Sequence, residues 1–276
     1  MKRNQRLFCF LSVFSLFLCG IVTLSHANEE VSRIDLLSSK TAHGGGADLI
    51  LGLHISMLPG WKTYWRSPGD AGLPPQFNWS GSSNIGEVTV LWPKPEVFET
   101  AGLKTWGYKE DVVFPLHITI LEKNKAASLH LEMFYGVCED VCIPLKQQAF
   151  LNLPAGEGEK TANAALIETY LRQVPVSAER DGLIQDISLR LVAKKDLIAE
   201  FHSEKELVAP SVILEGEEGD FFDIAGFDTS VSKKGIKNTF EIKADLADTS
   251  RSLKGRTLTV TILDKGVAVE GQIAVK

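Results

Sequence analysis

Two cysteines four residues apart, each flanked by a run that alternates apolar with polar residues, constrain the folding of this chain more than any other feature. Leu129-His-Leu-Glu-Met-Phe-Tyr135 leads into Gly136-Val137-Cys138-Glu139-Asp140-Val141-Cys142-Ile143-Pro144, and Lys146 to Leu153 alternates out again. A period of two marks half-buried strands on both sides. In a straight strand, residues four apart lie roughly 13 Å from one another, far beyond the ~7 Å between Cα atoms that a disulfide tolerates. For the sulfurs to meet, Glu139-Asp140-Val141 must turn, as a three-residue loop or a single helical turn at the end of a hairpin.

Compartment decides whether such a bridge forms. The chain opens with Lys2, Arg3 and Arg6, runs apolar from Leu7 to Leu24, and reads Ser25-His26-Ala27 before Asn28-Glu29-Glu30. This is the layout of a secretory signal, residues 1–27, cleaved after a small residue. The apolar run also approaches the length of a bilayer span, which makes an uncleaved anchor the alternative. Leu18 is too large for the residue before a lipidated Cys19. Loss of the signal leaves 26 basic against 35 acidic residues, a net charge of −9, and a nucleic-acid partner is excluded for want of a basic footprint. It also removes Cys9 and Cys19, so Cys138 and Cys142 are the only cysteines left, in a compartment where disulfides persist. No later segment is long and apolar enough to span a membrane.

A structural bridge and a redox pair are both open at this point. A ring of five residues stabilises by only about 2 kcal/mol, against more than 4 for a loop of a hundred, which makes this pair a poor staple. Glu139 and Asp140 lie between the thiols with no Lys, Arg or His inside the motif, and neighbouring carboxylates disfavour a thiolate. The reading is a relay disulfide attacked by a partner's thiolate. Copper is a second reading, since Cu(I) takes thiolates and thioethers and Met133 is near; its alternation with Leu129 and Leu131 marks it as core instead. The histidines show no zinc spacing with the cysteines, and no resident metal or cofactor is expected.

The remaining pattern is β throughout. Leu49 to Ile55, Val88 to Leu91 and Val112 to Leu121 read as strands between Gly, Pro and Asn clusters, as in a sandwich over residues 28–155. A linker over 156–175 carries one short amphipathic helix within Thr161 to Val174, with Leu166/Tyr170 and Ile167/Leu171 paired at i, i+4. A second sandwich follows over 176–276, ending in a hairpin through Asp264-Lys265-Gly266. Gly44-Gly45-Gly46 reads as a turn. Trp61, Tyr64 and Trp65 precede a Pro/Gly-rich loop, and Tyr108 follows Trp106-Gly107. Ordinary core packing is one reading of this stretch, and shielding of the cysteine pair by the loop or its aromatics is the other.

These residues also carry a resemblance. Trp61-x-x-Tyr64-Trp65-Arg66-x-Pro68-Gly69-Asp70-x-Gly72-x-Pro74-Pro75, Trp92-Pro93-x-Pro95, Gly107-Tyr108 and Cys138-x-x-x-Cys142-x-Pro144 resemble the periplasmic N-terminal domain of DsbD-type thiol:disulfide interchange proteins. The ScsB-like branch, associated with copper tolerance, is the most similar, and the last hairpin with Glu270 is similar to its second β domain. The resemblance implies an all-β protein of two immunoglobulin-like sandwiches joined by a short helical linker. It further implies a periplasmic location, and thiol:disulfide exchange at Cys138 and Cys142, with Cys142 forming the mixed disulfide. Partners would be thioredoxin-fold proteins, in processes such as cytochrome c biogenesis. Family members continue into a membrane domain and a thioredoxin-like domain. This sequence stops at Lys276, so the expectation is either a membrane electron donor in trans or a domain put to another purpose.

Overall fold

The computed structural model describes residues 30–69, 72–100, 103–217, 219–250 and 252–276. The signal-sequence reading therefore lies outside the described residues, as does Asp70. Val31 to Lys276 form one compact unit.

Ten strands build the first half: β1 (Ser32–Ser38), β2 (Asp48–Met57), β3 (Lys62–Tyr64), β4 (Gln76–Asn78), β5 (Ile85–Val90), β6 (Glu96–Thr100), β7 (Leu103–Lys109), β8 (Asp111–Ile120), β9 (Ala127–Cys138) and β10 (Cys142–Leu153). One sheet runs β1-β2-β8-β5, and the facing sheet runs β10-β9-β3-β7-β6 with β4 also paired to β9. Alternation assigns the faces. Leu51, Leu53 and Ile55 of β2, Phe114, Leu116 and Ile118 of β8, and Leu129, Leu131, Met133, Tyr135 and Val137 of β9 fill the space between the sheets. Each of these large side chains contributes roughly 1.5–3 kcal/mol by leaving water.

Helix α1 (Ala164–Leu171) lies on the outer face of the first sheet. A Cβ on Gly52 would sit 3.0 Å from Ile167 and 2.8 Å from Val113, so the glycine makes room for the helix. Ile167 is buried and Leu166 is 39% exposed. The two apolar pairs in the sequence therefore do not divide cleanly, since Tyr170 of the Leu166 pair also packs against the first core and its hydroxyl donates to the Asp111 carbonyl at 3.3 Å.

The second half contains β11 (Val176–Ser177), helix α2 (Ala178–Asp181), β12 (Ile184–Leu191), β13 (Asp196–Ser203), β14 (Ser211–Glu215), β15 (Phe221–Ser232), β16 (Gly235–Asp245), β17 (Thr257–Asp264) and β18 (Val267–Ala274). Its sheets run β11-β18-β17-β14 and β12-β13-β16-β15 around a second core that includes Phe201, Phe240, Leu258 and Val269. The alternation in the sequence does not mark β15, because a register shift between Ile224 and Gly226 breaks its period against β16. The protein is all-β, built from immunoglobulin-like sandwiches.

The sheet β11-β18-β17-β14 is buried on both faces. Val212, Leu214, Val260, Ile262 and Val269 point into their own core. The alternate residues Ile213, Leu263 and Ala268 pack against the first core.

Candidate redox site

Cys138 ends β9 and Cys142 starts β10. The two are direct cross-strand partners in the antiparallel ladder. Glu139-Asp140-Val141 forms the loop, the Cα atoms stand 4.2 Å apart, and the sulfurs are bonded as a disulfide. The hairpin required by the sequence is present.

Parity places the pair outside the core. Odd-numbered residues of β9, up to Val137, face the opposing sheet, so Cys138 faces outward. It is nonetheless fully buried, in a separate cluster with Tyr64, Phe98 and Leu73. Cys142, one rung across, is exposed. The cover over Cys138 comes from residues between β3 and β4. Both strands pair with β9, and between them in the chain Leu73 packs against Cys138 on the outer face of that strand. Gly136 permits this, since a Cβ there would sit 2.9 Å from Leu73 and 3.1 Å from the Tyr64 ring. A Cβ on Gly72 would collide with Pro68 and approach Tyr64 to 3.0 Å. Gly107 likewise leaves space for Phe98, whose ring lies 6.5 Å from that of Tyr64.

The Tyr64 hydroxyl is 2.8 Å from Cys138 Sγ and 3.2 Å from Cys142 Sγ. Burial raises the phenol's pKa above its ordinary value of 10.0, so the group stays protonated and donates. Lys62 is the cross-strand neighbour of Cys138 on β3, with its ammonium 5.2 Å from the centre of the Phe98 ring. The sequence motif holds no cation, but the neighbouring strand supplies one. Glu139 turns its carboxylate toward Gly60, where a Cβ would meet it at 2.9 Å.

The four aromatics singled out in the sequence divide. Tyr64 touches both sulfurs. Trp65 and Tyr108 belong to the inter-sheet core, with Trp61 packed partly buried against it. The Tyr108 hydroxyl donates to the Pro93 carbonyl at 2.8 Å, and burial pushes its pKa well above the ordinary value. Leu73 comes from the Pro/Gly-rich loop read as a possible cover, whereas Phe98 and Lys62 join the site without any local signal, since only strand pairing brings them there. Met133 is fully buried in the core, on the face opposite Cys138, and so is not placed as a thioether ligand beside the thiols. Among the described residues no group of three or more His, Cys, Asp and Glu is arranged to hold a metal ion. No helix among them is long and apolar enough to cross a membrane.

The first sandwich thus carries a hairpin disulfide on its outer face, half covered by Tyr64, Leu73 and Phe98. Residues 35–154 match the family described as the N-terminal domain of the thiol:disulfide interchange protein DsbD, and this sandwich is a domain of that type. Taken with the second sandwich, the arrangement is ScsB-like. The crystal structure of the N-terminal periplasmic domain of ScsB from Proteus mirabilis is similar with a TM-score of 0.64 and 26% identity, over 88% of this chain and 92% of that one. Residues 173–276 match a domain of unknown function, DUF8393. A periplasmic chaperone, SfaE, aligns over 88% of this chain and 100% of its own at 8% identity, but its TM-score of 0.22 carries no argument. No curated protein matches the chain.

Proposed function

We propose that the Cys138–Cys142 disulfide relays electrons between thioredoxin-fold proteins in the periplasm, and that Cys142 is the sulfur partners attack. The observation that carries this is the asymmetry of the pair: Cys138 is fully buried under Tyr64, Phe98 and Leu73 while Cys142 is exposed. Val141 and Ile143, which flank Cys142, are 71% and 37% exposed and offer apolar contact to an incoming partner.

The chemistry follows from the geometry. A donor thiolate attacks Cys142 Sγ along the S–S axis, the S–S bond breaks, and Cys138 departs as a thiolate. The Tyr64 hydroxyl, 2.8 Å away, donates to that sulfur as charge develops on it. The donor's second thiol then attacks its own sulfur in the mixed disulfide, leaving with the oxidised bond, and Cys142 is released. Two electrons and two protons have entered the pair. In the reverse half, Cys142 attacks an acceptor disulfide, and Cys138 resolves the mixed disulfide and restores the bridge.

Trapping tests this directly. Cys138→Ala removes the resolving sulfur and should accumulate a mixed disulfide through Cys142 with a purified thioredoxin-fold protein. Cys142→Ala should capture none. Failure of both variants to capture a partner would refute the relay and leave the bridge a structural one.

A further inference from the structure

The segment that covers Cys138 begins at Arg66, and Arg66 is held by the second sandwich. Its guanidinium donates to both carboxylate oxygens of Glu215 on β14, with Nε to Oε2 at 2.9 Å and Nη2 to Oε1 at 2.7 Å. It also bonds Glu270 on β18, whose carboxylate is itself held by the Thr261 hydroxyl at 3.1 Å. The guanidinium lies over the Trp65 ring at 4.4 Å. All three charged side chains are largely buried, at 23% exposure for Arg66, 17% for Glu215 and 32% for Glu270. Burial alone would lower the Arg66 pKa, but the bonds and charges of Glu215, then Glu270, outweigh it and raise the value.

Three consecutive residues thus have three destinations. Tyr64 touches the sulfurs, Trp65 is anchored in the core with its N–H bonded to the Trp106 carbonyl, and Arg66 is gripped from outside. Beyond it the Pro68 carbonyl accepts from Trp106 N–H at 3.0 Å, and Gly72 and Leu73 come to lie on Tyr64 and Gly136. The planar fork of an arginine on one carboxylate, with a second carboxylate behind it, fixes orientation as well as position.

We propose that Arg66 is a positioning residue through which the second sandwich, by Glu215 and Glu270, holds the cover closed over Cys138. The second sandwich is then a clamp on access to the resolving sulfur. Its consequence for electron transfer rests on the relay reading above, since whatever loosens the clamp changes how freely Cys138 meets solvent and partner during exchange.

The test measures access without relying on exchange. In full-length protein carrying Cys9→Ala, Cys19→Ala and Cys142→Ala, Cys138 is the one thiol left, and its alkylation by iodoacetamide reports the cover. Arg66→Gln should speed that reaction about tenfold. The double variant Glu215→Gln/Glu270→Gln, on the other sandwich, should do the same, and all three substitutions together should do no more. Arg66→Lys, which keeps the charge and loses the fork, should fall between. With Cys138→Ala in place of Cys142→Ala, the already exposed Cys142 should react at an unchanged rate in every variant. An unchanged Cys138 rate, additive effects of the two sides, or equal acceleration at Cys142 would each overturn the clamp. If Arg66→Gln fails to fold, the glutamate pair decides the question alone. Failed partner trapping with normal alkylation results would strike the relay and leave the clamp standing, while the opposite pattern would do the reverse.

Discussion

The molecule closes two long antiparallel hairpins in different ways. The β17–β18 hairpin pairs Asp264 with Val267 and turns on Lys265-Gly266, with Gly266 at a φ of 74°. The β9–β10 hairpin pairs Cys138 with Cys142 around a three-residue loop and adds a covalent bond across the last rung. Both lie against well-filled cores, yet only one carries a disulfide. A glycine in the left-handed region suffices to reverse the chain, so hairpin closure does not itself call for a bridge. The difference teaches that this bridge is not needed to turn the chain, which supports the relay proposed above. At the β17–β18 turn the contacts are hydrogen bonds to Asp264 instead: Lys94 donates to its carbonyl, and Val208 N–H and Ala209 N–H donate to its carboxylate at 3.0 and 2.8 Å.

The contrast can be broken or sharpened by substitution. The largest effect is expected at Cys142→Ala, which should reduce exchange with a thioredoxin-fold partner at least a thousandfold, read as loss of partner reoxidation, because no accessible sulfur remains. Removing both cysteines as Cys138→Ala/Cys142→Ala should lower unfolding free energy in urea by only about 2 kcal/mol, the value for a five-residue ring. A much larger loss would return the bridge to a structural role. Tyr64→Phe keeps the ring against Phe98 and removes the hydroxyl beside both sulfurs. Stopped-flow measurement should show disulfide opening slowed about tenfold, as expected for one hydrogen bond to a charged sulfur. The smallest effect belongs to the other hairpin: Gly266→Ala should cost about 1 kcal/mol through its backbone conformation, with iodoacetamide reactivity of the reduced cysteines unchanged.

The sequence showed some of this and hid the rest for identifiable reasons. Alternation through Leu129, Leu131, Met133 and Tyr135 set β9 and its inward face, and the spacing of Cys138 and Cys142 forced the turn. The last hairpin was equally plain from Asp264-Lys265-Gly266. The loop that holds Leu73 was visible as a possible cover, but harder to see was which face Cys138 occupies, because Lys62 and Phe98 reach it through pairings among β3, β6, β7 and β9 that no local pattern encodes. The aromatic cluster was visible as unusual, but its division into Tyr64 at the sulfurs and Trp65 in the core follows from strand parity at a strand only three residues long. Arg66 stood in the motif without a partner, since Glu215 and Glu270 lie 149 and 204 residues away along the chain.

The cross-strand register of the two cysteines also has a kinetic side. Because the ladder itself holds their Cα atoms 4.2 Å apart, opening the bond leaves the backbone with nowhere it needs to go, and the freed Cys138 sulfur stays beside the mixed disulfide at a very high effective concentration. In the proposed relay, every partner joined to Cys142 is therefore bound next to its own release agent. Such a pair favours short encounters and rapid turnover over stable complexes, and its partners are best seen when that neighbour is taken away.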